Sequence, residues 1–509
     1  MNETSRMIKN TLIVFVFAIV AKGLSLIRES VVAAYAGTSL EADAYYMVTS
    51  IYTIFELGLS TSIYQSFFPI YKELSLNHKD EKKTSIFANS VITILCSVAI
   101  LFVFLEIFGS RLIVGFLAPG FSSQGLELAQ RLLIVSAPML PVVVMAECFS
   151  TILRSHNIFS WSQARELGTH IGAILCIFIL FNRLGIYAMG IGMLIGAIAR
   201  MLIQMPVIRH IHSFKTGIQL KSNEIKKMLY RIPAALITAS ITEIKNIVDK
   251  MMASMLATGT VATLNYGYRL ESAISGLIFN SIATGIYPDM VRLYMDQKHN
   301  ELSKLIENCM QMILVIIIPL EIAAFFFGNE LVTVVYKRGA FGNEEVNLTA
   351  MVFAAYMLGA VFFGLSLILS NIFYSAGDTQ TPMKVNCVDL GLNIVFNFIF
   401  IKVIGAVGLA LATSLASLIS FFIRIKAVRK YVKLDIKNLL REFIKIISAS
   451  GISGIISHFI LQFGGVENTV YYLIMATIIM CLIYCALLLT FKSKSISNIF
   501  HWIEAKLKK

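Results

Sequence analysis

The stretch KGLSLIRESVVAAYAG, residues 22–37, sets Lys22, Arg28 and Glu29 inside the first long apolar segment of the chain. A charged side chain at the centre of a bilayer costs roughly 2.5–3.5 kcal/mol on insertion scales, so such residues face water, a partner or a ligand. Lys22 and Glu29 are seven positions apart and fall within about 20° of one helical face, with Arg28 to one side of that stripe. Val31, Val32 and Ala33 then return the helix to apolar character. The second apolar segment adds Asp43 near its outer end and Glu56 nearer its middle, and two segments in the second half of the chain carry Glu243, Lys245, Asp249, Arg269 and Glu271. A cavity where Lys22, Arg28 and Arg269 converge wants an anion, and the arginine fork is the side chain best shaped to grip a phosphate. The plain alternative is that Arg28 and Glu29 only neutralise charges on neighbouring helices. The recurrence of a basic residue at Arg269, in the corresponding region of the second half, favours the cavity.

These charges need helices to carry them, and composition says what kind. The 509 residues are 57% hydrophobic and 14% charged, where soluble domains carry nearer a quarter charged residues. The chain is read as a polytopic membrane protein with about 14 apolar segments of roughly 20 residues. The fourth centres on Pro138, and the eleventh and twelfth on Ile394 and Ser414. The net charge of +13 follows topology. Loops on one side, such as RHIHSFKTGIQLKSNEIKK, hold roughly 21 Lys and Arg against roughly 5 opposite, which places both termini in the cytoplasm. That distribution excludes a nucleic-acid footprint. The first segment has no small-residue cleavage site and is not read as a signal peptide. The seven cysteines show no CxxC and no metal spacing, and are expected to pack as small hydrophobes.

The chain also repeats. SFFPIYKEL around Pro69 echoes GIYPDMVRLY around Pro288, LAPGF echoes KRGAF, ILRSHNIFS echoes IFYSAGDTQ, and Tyr46 matches Tyr266. All four offsets are about 219 or 220 residues. They predict two six-helix lobes, 1–210 and 211–430, related by an axis along the membrane normal. Parallel repeats of this kind place a substrate site between lobes and alternate its exposure. A C-terminal helix pair, 431–492, and an amphipathic basic tail, 493–509, fall outside the repeat. The tail is expected on the inner surface.

No P-loop, HExxH, metal cluster or nucleophile elbow occurs. No segment outside the membrane exceeds on the order of 20 residues. An enzyme is therefore not expected, and energy must come from an ion gradient, the membrane potential or the substrate gradient.

SLIRESVVAAYAGTSLEADAYYM, FFPIYKEL, LAPGF, NYGYRLE, VYKRGAF and FYSAGDTQTPMKV, in this order over about residues 7–430, together resemble the MurJ/MviN family of lipid II flippases. The resemblance implies 14 helices in two lobes plus a C-terminal pair, in the bacterial cytoplasmic membrane. It also implies transport of an undecaprenyl-diphosphate-linked peptidoglycan precursor from the inner to the outer leaflet through a cationic cavity. The family's arginine, acidic residue and second-lobe arginine fall on Arg28, Glu29 and Arg269. A further first-helix arginine falls on Lys22, which keeps the charge and loses the bidentate fork. An outer-end aspartate falls on Asp43. A sodium site of the family falls on Asp249, Asn393, Asn397 and Thr413, all oxygen-bearing as a hard cation requires. Read without the family, Asn393 and Asn397 are interhelical hydrogen-bonding asparagines, four apart on one face.

One departure stands out. Glu56 occupies a position where the family carries a cavity arginine, and a pairing of Glu56 with Lys22 or Arg28 would weaken the grip on a diphosphate. Another polyprenyl-diphosphate glycan is therefore kept as an alternative cargo, beside a multidrug or cation antiporter on the same scaffold, whose cavity should be acidic or aromatic. A glycan-polymerising enzyme would need a larger outer loop with an acidic pair. Glu147 is read as lining the cavity or bonding a neighbouring helix, Glu321 as sitting near a helix end at the interface, and His170 and Arg200 as helix-end residues. The partners expected are the lipid-linked glycan and membrane lipids, with no nucleic acid, and the chain is expected to be a monomer.

Overall fold

The computed structural model describes residues 3–77, 81–214, 217–463 and 468–493. Among them are fourteen helices and no strand: α1 (Glu3–Ala36), α2 (Leu40–Asn77), α3 (Glu81–Leu117), α4 (Ser123–Ser136), α5 (Met139–Ser155), α6 (Phe159–Leu184), α7 (Tyr187–Ile211), α8 (Asn223–Ala253), α9 (Thr260–Met295), α10 (His299–Tyr336), α11 (Asn343–Ser375), α12 (Gln380–Val428), α13 (Ile436–Phe463) and α14 (Thr469–Thr490). The basic tail expected beyond residue 493 lies outside the described residues.

Helix count and span count part company at two places. The segment centred on Pro138 is two helices, α4 and α5, bent by 44° at a short break. Proline has no N–H to give the preceding turn and its ring crowds it, so the helix breaks there. The two segments centred on Ile394 and Ser414 run together as α12, interrupted only at Ile404 (φ −135°, ψ 16°) and Gly405 (φ 56°, ψ −128°). Eight described helices are long and apolar enough to cross a membrane, nine when the bent pair counts as one span. Of the remaining helices, α1, α2, α8 and α9 are long enough but more polar, and they carry Lys22, Arg28, Glu29, Glu56, Asp249 and Arg269.

By packing, the chain divides into two compact units, residues 1–262 and 263–509. In the first, α2 lies along α8 and α5, α6 against α7, and α1 against α6. In the second, α10 packs on α11, α13 and α14, and α11 on α12. A cluster including Phe279, Ile313, Ile368 and Ile446 fills its centre. The C-terminal pair is fastened there by Tyr484, whose hydroxyl donates to the Val315 carbonyl at 2.9 Å.

The repeat read from sequence is written in the backbone as well. Asn157 (φ 60°) and Gly377 (φ 75°) take the left-handed conformation 220 residues apart, as do Gly185 (φ 55°) and Gly405 (φ 56°). The starts of α2 and α9, and of α4 and α11, keep the same spacing. Four cysteines pack as expected, but Cys387, Cys481 and Cys485 are exposed on helix surfaces. A sulfhydryl on an apolar outer face needs no polar partner, so burial is not required there.

FYSAGDTQTPMKV, a specific piece of the sequence, turns out to be a cap. Asp378 Oδ1 accepts from the Thr381 N–H at 2.9 Å and the Gln380 N–H at 3.1 Å, while Oδ2 accepts from the Thr381 hydroxyl at 2.6 Å and the Tyr431 hydroxyl at 2.9 Å. One carboxylate thereby satisfies the start of α12 and ties it to the segment after its end. The Thr381 bonds hold its acid constant down to about 2 from an ordinary 3.8. An acid whose constant is lower when folded stabilises above the unfolded value and loses that contribution as pH falls through the folded one. Thermal midpoints in detergent are expected to be higher for wild type than for Asp378→Ala at neutral pH, and to converge as pH falls from about 4 towards 2.

Candidate functional site

On α1, Lys22 and Arg28 are half-buried and Glu29 is buried. Neighbours one residue apart do not face each other on a helix, yet the long Arg28 side chain swings back to place Nη2 2.7 Å from Glu29 Oε1. The other oxygen, Oε2, accepts from the Tyr46 hydroxyl of α2 at 2.8 Å. Glu29 is thus held from both sides, and it holds Arg28 in turn. Arg28 Nε has no protein acceptor among the described residues, and 13% of the side chain stays exposed. A third cation arrives from α8, where Lys250 Nζ donates to the Ser50 hydroxyl at 2.7 Å and reaches the Tyr46 carbonyl at 3.5 Å. Sequence reading passed over Lys250. Its signal was present, since it follows Asp249 directly and ends a run of charges in an otherwise apolar helix.

Arg28 and Lys250 therefore meet the same stretch of α2, one through Glu29 and Tyr46 and the other through Ser50. Arg269 is half-buried on α9 and belongs to the second unit.

Asp43 performs a different task from lining a cavity. Its two oxygens accept from the backbone N–H groups of Gly259 at 2.6 Å and Ala262 at 2.8 Å, so it caps the N-terminus of α9. Gly259 sits there at φ +92°, where a Cβ would also collide with the Thr38 carbonyl oxygen. Only glycine fits that turn.

Glu56 does not pair with Lys22 or Arg28. Its partner is Arg200 Nη1. Glu56 lies ten residues beyond Tyr46, about 15 Å further along α2 and about 80° round it, out of reach of Arg28. Arg200, expected at a helix end, lies mid-way along α7 and is 2% exposed. His170 likewise lies well inside α6. Arg200 Nη2 pairs with Glu147 of α5 and approaches Glu166 of α6 at 3.3 Å. Arg165 pairs with the same Glu147 and approaches Glu166 at 3.3 Å, and the Ser60 hydroxyl donates to the other Glu147 oxygen at 2.7 Å. Glu147 therefore bonds neighbouring helices. Two arginines and three carboxylates knit α2, α5, α6 and α7 into one block. The positions 220 residues on are Gly276, Leu367, Val385, Asn386 and Ser420, so this network belongs to the first repeat alone.

Glu321 accepts from the backbone N–H of Val361 on α11 at 2.9 Å. Of the cation-site residues, three come together on α12. Asn393 Nδ2 lies 3.0 Å from Thr413 Oγ1, and Asn397 Nδ2 lies 3.4 Å from Asn393 Oδ1. Both asparagines are fully buried, and three neutral oxygen-bearing side chains in one chain of contacts suit a hard cation. Asp249 is buried on α8 in the first unit.

The family model described as lipid II flippase MurJ matches residues 32–499. The chain belongs to that family. A probable lipid II flippase MurJ of Buchnera aphidicola subsp. Baizongia pistaciae is 27% identical over 458 residues, 88% of each chain. The lipid II flippase MurJ of Burkholderia cenocepacia is 23% identical, covering 85% of this chain and 86% of that one. Among solved structures, a lipid II flippase MurJ in an inward closed conformation superposes with TM-score 0.81 at 23% identity, over 95% of this chain and all of the other. An inward-facing multidrug resistance transporter of the MATE family reaches 0.67 at 12% identity, over 80% and 96%. Both likenesses speak for the fold.

Breaking a buried ion pair by removing one partner costs about 3–5 kcal/mol. Arg200→Ala should therefore fail to yield a monodisperse peak in detergent or melt far below wild type. Glu56→Gln should melt close to wild type. Glu56→Arg, which sets a second guanidinium against Arg200, should melt lower than Glu56→Gln.

Proposed function

We propose that the protein is a flippase that carries lipid II, an undecaprenyl-diphosphate-linked peptidoglycan precursor, from the inner to the outer leaflet by alternating access. The single observation that carries this reading is Arg28. It is a guanidinium in a membrane helix, oriented through Glu29 by Tyr46, with part of its side chain still exposed. A side chain so fixed loses little entropy on gripping a phosphate, and the planar fork suits two oxygens at once. Lys22 and Arg269 supply the remaining charge for a diphosphate, and Lys250 joins them from α8. Glu29 is a positioning residue, Asp43 sets the start of α9, and the polyprenyl tail stays in lipid.

In this reading both termini are cytoplasmic, the protein acts as a monomer in the bacterial cytoplasmic membrane, and fourteen segments cross it, with α4 and α5 counted as one span and α12 counted twice at its break. A diphosphate neutralises the cations that otherwise repel one another, which favours closure and then opening to the other side. One elementary charge crossing 100 mV contributes about 2.3 kcal/mol, so the membrane potential is sufficient to reset the cycle. A sodium ion held by Asn393, Asn397 and Thr413, with Asp249 as the anionic ligand, is the proposed coupling ion.

Another polyprenyl-diphosphate glycan is an alternative because Glu56 stands where the family carries an arginine and its pairing with Lys22 or Arg28 would weaken the grip. Glu56 pairs with Arg200 instead, so it withdraws neither cation from the ligand, which favours lipid II. A cation antiporter, whose cavity should be acidic or aromatic, is disfavoured by the basic residues Lys22, Arg28 and Arg269.

In cells depleted of their own lipid II flippase, well-expressed wild type is expected to restore growth, as is Glu56→Gln, while Arg28→Ala and Arg269→Ala fail and Glu29→Gln restores it partially. Failure of expressed wild type, or full rescue by Arg28→Ala, overturns the assignment. For the ion, the thermal midpoint of wild type should rise with sodium chloride over equal choline chloride. The rise should vanish in Asn393→Ala and in Asp249→Asn.

A further inference from the structure

Glu106 takes no part in the site above. It lies on α3, within a span from Lys82 to Leu117 of high mean hydropathy, and is 3% exposed. Its one close polar contact is the Tyr52 hydroxyl, 3.4 Å from Oε2, and Oε1 is buried with no donor. Among the described residues no lysine, arginine or histidine pairs with it.

The elements packed against α3 are α2, α4, α5 and α8, and among the described residues none of their charged groups pairs with Glu106. From α2 comes Tyr52. On α4, Glu127 and Arg131 pair with each other at the surface, 59% and 61% exposed. On α5, Glu147 is held by Arg165 and Arg200, Arg154 Nε donates to Ser162, and Cys148 lies against the inner core. Near the end of α8, Lys250 donates to Ser50, and Lys245 and Asp249 are buried on the same turns. On α3 itself Arg111 is exposed.

An isolated carboxylate in such a place has no counter-charge and too few donors. We infer that Glu106 is a proton-binding site, and that its bound proton ties α2 to the bend between α4 and α5. The Tyr52 hydroxyl has one proton and two acceptors within reach, the Leu133 carbonyl at 3.2 Å and Glu106 at 3.4 Å. With Glu106 protonated, its O–H donates to the tyrosine oxygen, and Tyr52 donates to Leu133 in the last turn of α4. Once the proton leaves to water, the carboxylate is the stronger acceptor and draws the tyrosine proton to itself. The link to Leu133 is then lost. Leu133 also accepts from the Ala137 N–H at 2.8 Å, immediately before the 44° break. The second repeat has neither part of the device. Its corresponding residues are Ser272 and the apolar stretch Ala324 to Phe326, and its corresponding helix, α11, is unbroken.

The inference needs no cargo for its test, so it stands or falls apart from the flippase reading. Infrared spectra of the purified full-length protein in lipid nanodiscs, taken across a pH series, read the carbonyl stretch of a protonated carboxyl. Wild type should show such a band at neutral pH that titrates away under alkaline conditions, and Glu106→Gln should lack it. Tyr52→Phe should keep the band and shift it upward, as the acid loses its acceptor. Amide exchange over residues 133–140, corrected for intrinsic rates, should accelerate as the band disappears in wild type and stay flat in Glu106→Gln. A wild type minus Glu106→Gln difference spectrum with no such band, a position unchanged in Tyr52→Phe, or exchange indifferent to the band overturns the inference. Should Glu106→Gln not fold, the Tyr52→Phe shift alone decides.

Discussion

An ionised side chain that leaves water must find its counter-charge and its hydrogen bonds inside the protein, and nearly every polar feature of this molecule follows from that. Arg200 shows the constraint at its most severe. Fully buried on α7, it persists because Glu56, Glu147 and Glu166 approach it from three other helices. The ion pairs fix how those helices sit against one another, since none can slide without stranding a charge. A buried pair of this kind is weak evidence for added stability but strong evidence for a defined arrangement.

The same requirement divides the charges by role. In the first-repeat network Arg165 and Arg200 each meet Glu147 and Glu166, and Arg200 meets Glu56 as well. Arg28 is anchored by one edge to a single carboxylate, Glu29, and keeps 13% of its side chain exposed, against 2% for Arg200. Asp43 looks from its place in the chain like a member of the site, yet spends both oxygens on backbone N–H groups at the start of α9. Its effect on a site is exerted through the placement of a helix.

The two repeats keep their backbone landmarks and differ in polar content. Left-handed residues recur 220 positions apart, and helix starts follow. The first repeat has acquired the Arg200 network, the buried Glu106 and a broken helix at Pro138. The second instead pairs Ser420 with Asp389 at 2.9 Å and Arg424 with Asn386, and gathers Asn393, Asn397 and Thr413. Backbone geometry is set by turns and local sterics that any apolar filling satisfies. Buried polar groups must be matched to one another as sets, so they diverge together.

The sequence by itself determined the membrane class, the repeat and the family, and it singled out Arg28 and Glu29 as charges inside a membrane helix. Apolar length, charge placement and local motifs are properties of neighbouring residues, and an intramembrane charge is conspicuous wherever it falls. Partnership is not local. Glu56 and Arg200 are 144 residues apart, and Tyr52 and Glu106 are 54 apart; a side chain reaches only a few ångströms. Which carboxylate meets which guanidinium depended on the rotation and depth of each helix against its neighbours. Only the tertiary structure could decide that Glu56 is neutralised, that Asp43 is a cap, that Lys250 joins Tyr46, and that Glu106 has tyrosine for its company.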